Sequence, residues 1–181
     1  MISLTAIALL IHFFGLQQII SSKLMVLLFV FCSLGHSIQA IRWRPQVTFN
    51  THLVWSLHLA YWFIPVSFLL FALHYAGLNI STSNALHGLT AGAMSSLILA
   101  MIARISLGHS GRPLTPHWIM KYAFSLIILA GGIRLLSPYI QLYFNFNLHV
   151  VSACLWALAF GIYVVVYAPS LTTPRPDGKP G

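Results

Sequence analysis

Residues 53–77 read LVWSLHLAYWFIPVSFLLFALHYAG, 25 positions without one Asp, Glu, Lys or Arg. At 1.5 Å per residue a helix of this stretch is about 37 Å long, more than the roughly 30 Å of a bilayer's hydrocarbon core. Similar runs follow one another along the chain, and six spans can be drawn at 2–20, 24–41, 53–77, 83–105, 118–136 and 145–168. The 181 residues hold one acid, with 6% charged and 59% hydrophobic residues, and a mean hydropathy of +0.87. A soluble domain carries about 25% charged residues, so a water-soluble fold is excluded. The expectation is an all-α polytopic transmembrane bundle over residues 1–171. A polar tail over 172–181, with three prolines, is expected to be disordered.

The breaks carry turn chemistry: Ser21-Ser22-Lys23, Arg42-Trp43-Arg44-Pro45, Asn79 to Ser83, the Gly/Pro-rich 106–117, and Ser137-Pro138. Pro65 inside the third span predicts a kink or tilt. The first span lacks a basic start and a small-residue cleavage site, so it reads as a retained helix and not a signal peptide. The net charge of +8 is spread thinly, which argues against nucleic acid and for basic loops at a lipid bilayer. Arg42, Arg44, Arg104, Arg112, Lys121, Arg175 and Lys179 fall on one side, against Lys23 and Arg134 on the other. Seven against two predicts both termini in the cytoplasm of a multi-pass inner-membrane protein.

Cys32 and Cys154 are isolated in apolar runs, without a CxxC pair or a CxxCH haem-attachment motif. They read as buried thiols. Gly88, Gly92, Ser96 and Ala100 form a small-residue stripe at i, i+4 spacing, which predicts close helix packing and a central fourth span.

Nine histidines stand out, six of them inside the spans: His12, His36, His58, His74, His87 and His149. An imidazole in hydrocarbon is costly unless its nitrogens find partners. A metal or haem satisfies one nitrogen and a carbonyl or hydroxyl the other, while an interhelical hydrogen bond is the plainer alternative. Sorted by depth, His36 and His58 fall toward the cytoplasm, His74, His87 and His149 toward the outside, and His12 near the middle. Two separated groups suit two cofactor positions, or one bis-His haem plus a second metal held among His36, His74 and His149. His58 and His74 lie 16 residues apart, about 160° round one helix, so they cannot serve one site.

Trp55, His58 and Trp62 follow i, i+3, i+7 spacing, setting an imidazole between two indoles beside a flat apolar macrocycle or at the lipid interface. His87, Met94 and Met101 recur every seven residues on one helical face, either as a copper-compatible set or as plain packing. In Ala103 to Leu114, Arg104, His109 and Arg112 surround a glycine-rich turn with no carboxylate nearby. These guanidiniums must meet water, lipid phosphate or a ligand anion such as a haem propionate, unless they only mark a cytoplasmic loop. The chain's single acid, Asp177, lies in the tail, so no intramembrane carboxylate can carry protons.

Four motifs in order give the chain a family resemblance. They are Trp55-Ser-Leu-His58-Leu-Ala-Tyr61, Leu86-His87-Gly-Leu-Thr90-Ala-Gly92-Ala93, Ala103-Arg104 through Leu114, and Tyr167-Ala-Pro169 followed by Pro174-Arg175-Pro176-Asp177-Gly178-Lys-Pro-Gly. Over residues 50 to 181 the chain resembles the NnrS family of bacterial membrane proteins, and it looks like the C-terminal half of longer members. The resemblance implies haem b and copper binding and a part in nitric oxide metabolism, denitrification and resistance to nitrosative stress. It sets His58, His87, Arg104, His109 and Arg112 at motif positions, as cofactor-binding residues. It also implies that a second membrane polypeptide, or another copy, supplies the missing N-terminal half. Redox or ligand-binding chemistry at a metal is the only enzymatic reading left, since no nucleophile–base pair of recognised spacing occurs. A channel or carrier subunit, or a non-catalytic assembly partner, are the competing readings.

Overall fold

A computed structural model describes residues 1–44, 46, 51–176 and 178. The expected tail positions 177 and 179–181, Asp177 among them, lie outside the described residues. The helices are α1 (Ile2–Phe13), α2 (Ser22–Arg42), α3 (His52–Tyr75), α4 (Thr82–His87), α5 (Ser95–His109), α6 (Met120–Ile140) and α7 (Leu148–Thr172). A π-helical turn, Gly88–Met94, joins α4 to α5 without a break. Five stretches are long and apolar enough to cross a membrane: α2, α3, the 28 residues Thr82–His109, α6 and α7. The chain is thus a helical membrane protein.

The span expected at 2–20 folds differently. Gly15 adopts φ 72 and stops α1 at 12 residues, before a short 3-10 turn at Leu16–Gln18. Glycine takes this left-handed conformation without a Cβ penalty, which is how many helices end. At about 18 Å, α1 is shorter than a hydrocarbon core. His12 consequently sits in the last turn of α1 and not mid-span. Two other boundaries also move, because α5 continues to His109 before Gly111 (φ 67) turns the chain, and α6 runs through Pro138 to Ile140.

Contacts between side chains fix the directions. α2 and α3 are antiparallel, with Phe29 stacked on Phe71 and the Ser33 hydroxyl donating to the Pro65 carbonyl at 2.8 Å. α6 and α7 are antiparallel through Ser152, whose hydroxyl donates to the Ala130 carbonyl at 2.7 Å. α5 runs parallel to α7, with Ser106 and Tyr163 hydroxyls 2.7 Å apart and Arg112 reaching Ser170. One end of the bundle therefore gathers Arg42, Arg44, Arg104, Arg112, Lys121 and Arg175, and is called the basic end below. The opposite end carries Lys23 and Arg134.

Two cores fill the bundle. One joins α1, α2 and α3 through Ala8, Met25, Phe29, Cys32, Phe68 and Phe71. The other joins α5, α6 and α7 through Leu99, Ala103, Phe124, Ile127, Ala159 and Tyr167. Lipid is as apolar as these side chains, so close packing and not water exclusion must hold the helices together. The small-residue stripe does this, and Gly88, Gly92, Ser96 and Ala100 are all buried. The π turn sits between α3 and α6, where a Cβ on Gly131 would lie 2.7 Å from the Gly92 Cα and a Cβ on Gly92 would overlap the Phe63 ring. α7 is the least enclosed span. Cys154 is exposed on it, while Cys32 is buried as the apolar run predicts.

Candidate functional site

Titratable side chains collect at both ends of the bundle, and each end must be followed partner by partner. At the basic end, His36 is 7% exposed. Its Nδ1 meets the Tyr61 hydroxyl across α2 and α3, and its ring stacks on Phe68 at 5.7 Å. Among the described residues its Nε2 is buried with no hydrogen-bond partner. Trp43, the residue capping α2, leans against Tyr61 with ring centroids 4.6 Å apart and against His58 at 5.8 Å. This indole lines two depressions. One of about 550 Å³ lies against Gly35, Gln39, Arg42 and Trp43, and one of about 420 Å³ against Trp43, Val54, Leu57 and His58.

The sequence spacing expects Trp55 and Trp62 to bracket His58. In the fold the indole beside His58 comes from Trp43 on the neighbouring helix, while the Trp55 Nε1 donates to His52 Nδ1 at 3.5 Å. The heptad His87, Met94 and Met101 does not share a face. Each i to i+5 bond of the π turn admits one more residue than an α-turn, so counting by seven across it fails. Met94 and Met101 lie at the bundle surface at 52% and 43% exposed, whereas His87 is half-buried.

The arginines of the 103–114 segment separate as well. Arg112 donates from Nη1 to the Ser170 carbonyl at 2.9 Å and from Nη2 to Thr173 Oγ1 at 3.1 Å. Arg175 donates to the His109 carbonyl at 3.0 Å. These acceptors of Arg112 belong to the negative end of a helix, since the last carbonyls of α7 have no partner within it. Arg104 and His109 are exposed.

At the opposite end every named imidazole nitrogen points at a protein group. His74 Nδ1 lies 2.7 Å from the Ile80 carbonyl, bracing the turn after α3, and His12 Nδ1 lies 2.7 Å from the Tyr75 hydroxyl. Arg134 Nη1 donates to His149 Nδ1 at 3.1 Å and its Nη2 to His87 Nε2 at 3.0 Å. His87 Nδ1 lies 2.6 Å from the Ser83 carbonyl, and Ser137 Oγ lies 3.0 Å from His149 Nδ1. Sequence reading used Arg134 only as a mark of topology. Its position three residues past Gly131, inside an apolar helix, was the available signal, because an ionisable residue at that depth is costly unless it serves a site.

The structure therefore brings His36 and His58 into one neighbourhood and His87 and His149 into another. It keeps His58 and His87 about 20 Å apart along the axis, from six residues into α3 and five residues past the start of α4. Among the described residues, no three His, Cys, Asp or Glu side chains converge as a metal cluster.

A family model described as "NnrS protein" matches residues 1–175, so the chain belongs to the NnrS family. The match begins at residue 1, and α1 and α2, ahead of the motifs that carried the resemblance, lie inside it. No curated protein and no solved structure matches the chain.

Proposed function

We propose that this NnrS-family chain is a bacterial inner-membrane protein that binds haem b at its basic end and acts in the response to nitric oxide and nitrosative stress. The observation that carries the reading is His36, whose Nε2 is buried and unanswered while its other nitrogen is held by Tyr61. A ligating histidine has this arrangement, in which the second nitrogen is oriented by a hydrogen bond and the first offers a lone pair. With Nδ1–H donated to the tyrosine oxygen, Nε2 is the lone-pair nitrogen. An orphaned buried nitrogen costs about 1–3 kcal/mol, which a metal bond offsets.

His58, Trp43 and Tyr61 supply a second imidazole and aromatic walls for a flat apolar ring. Arg42 and Arg104 supply guanidiniums at the same end for its carboxylates. Haem iron, when bound, supplies reversible binding of a diatomic ligand and one-electron redox chemistry. The protein's part is to fix the imidazole, exclude water from the ring and hold its charged edge toward the basic loops. Copper has a weaker donor set, since Met94 and Met101 lie at the bundle surface while His87 is half-buried. By the excess of basic residues, this end faces the cytoplasm.

The test is an oxidised-minus-reduced absorption spectrum of the detergent-purified chain, with iron and copper measured on the same sample. The expected result is a haem spectrum with about one iron per chain, lost in His36→Ala or His58→Ala and kept in His87→Ala. A folded, colourless, iron-free preparation overturns the reading. It would favour an assembly partner or a carrier subunit.

A further inference from the structure

The cluster at the opposite end is built from donors. Arg134 presents five N–H groups and uses one on each imidazole. A guanidinium only donates, so the facing nitrogens, His149 Nδ1 and His87 Nε2, both accept. His87 then carries its proton on Nδ1, which donates to the Ser83 carbonyl. His149 carries its proton on Nε2, and His149 is exposed. The Ser137 hydroxyl is already shared between the Arg134 carbonyl and His149 Nδ1, each at 3.0 Å. What the cluster leaves unused is three guanidinium N–H groups and one imidazole N–H, around a full positive charge.

No carboxylate among the described residues answers that charge. The chain's only acid, Asp177, comes five residues after the last residue of α7, whose end is at the basic side. The α7 helix starts at Leu148, directly before His149, so its positive pole adds to the same potential. The depth is also defined. Arg134 lies six residues, about 9 Å, inside the end of α6. Exposed Tyr139, Tyr143, Phe144 and Phe146 follow it, and such aromatic residues mark the headgroup layer.

We propose that Arg134 and His149, with His87 holding the guanidinium in place, form an oxyanion site for a phosphate group. The source is an anionic lipid headgroup or free inorganic phosphate. This site is independent of the haem reading, because it uses none of the residues at the basic end.

The test titrates phosphatidylglycerol and, separately, inorganic phosphate into the full chain in dodecyl maltoside, with bound ligand counted by native mass spectrometry. Wild type is expected to bind saturably. Arg134→Gln weakens binding at least about tenfold, the scale of losing one charge-assisted hydrogen-bond set, and Arg134→Lys recovers part of the loss. Binding of the lipid alone assigns a headgroup, and binding of both assigns a general phosphate site. Equal binding by wild type and Arg134→Gln, or binding of neither ligand, overturns the proposal. Should Arg134→Gln fail to fold, a nitroxide on exposed Cys154 of the wild-type chain reads the same question. Phosphorus resonances of the bound ligand broaden if it sits at the start of α7, and their failure to broaden overturns the proposal.

Discussion

The two ends of the bundle treat the same side chain in opposite ways. At the end near Arg134, two imidazoles are tied off by one guanidinium, and the tautomer of each follows from the donor it faces. At the basic end, one buried imidazole keeps a nitrogen with nothing to meet it. The number of histidines is thus no guide to chemistry in this protein. Where both nitrogens are answered, as at His87, the imidazole is part of the scaffold, and where a buried one is left over, as at His36, a missing partner is implied.

The sharpest way to break the comparison is to disturb the joint that both ends share. Gly131→Leu must push α6 away from the Gly92 backbone, which cannot swing aside as a flexible side chain would. Overpacking of this kind costs about 3 kcal/mol or more. Thermal unfolding in detergent should show it as the largest loss of the series, and an unchanged midpoint would mean the helices do not cross there. Next comes His87→Leu, which removes an acceptor from Arg134 and leaves its charge less well met. A loss of about 2 kcal/mol is expected in metal-free protein. A neutral result would mean the guanidinium finds water as readily as imidazole.

Ser33→Ala removes only the bond to the Pro65 carbonyl, and about 0.6 kcal/mol is the usual worth of such a bond between membrane helices. The double change His36→Leu with Tyr61→Phe should be the mildest of all in the haem-free chain, within about 0.5 kcal/mol of wild type. It replaces a half-satisfied polar pair by apolar groups of similar shape. A loss as large as that of His87→Leu would put the two ends on the same footing and remove the contrast.

Hydropathy located the five long spans to within a few residues, because a stretch such as 53–77 has no other way to satisfy its backbone in lipid. It overran at α1, where a single left-handed glycine at position 15 outweighs the apolar residues on both sides of it. It fell short at α5, because Ser106, Gly108 and His109 look like loop residues while continuing a helix. The small-residue stripe correctly anticipated the central position of the fourth span. The π turn inside that span is invisible to composition, since Gly88 to Met94 differ from an α-helical run only in which carbonyl each N–H selects. With it went the supposed face of His87, Met94 and Met101.

The candidate sites were legible only as a set of histidines with rough depths. His36 and His58 did prove to be neighbours, but through Tyr61 and Trp43, residues whose roles depend on how α2 meets α3. Arg112 looked like an anion seeker because its acceptors, the carbonyls of a helix end, carry no letter in the sequence.

The π turn also sets how this span can change over generations. Loops absorb the loss or gain of a residue, but a span ordinarily cannot. Deleting one residue between Gly88 and Met94 would let the turn relax to an α-helix of uninterrupted register. Everything before it would keep its rotation against everything after it, because each i to i+5 bond of the turn already holds one residue more than an α-turn. His87 would stay on Arg134 while Leu99 and Ala103 stayed in their core. One codon in this turn is therefore lost with the guanidinium still clasped, whereas the same loss elsewhere in the span turns one part by about 100° against the other.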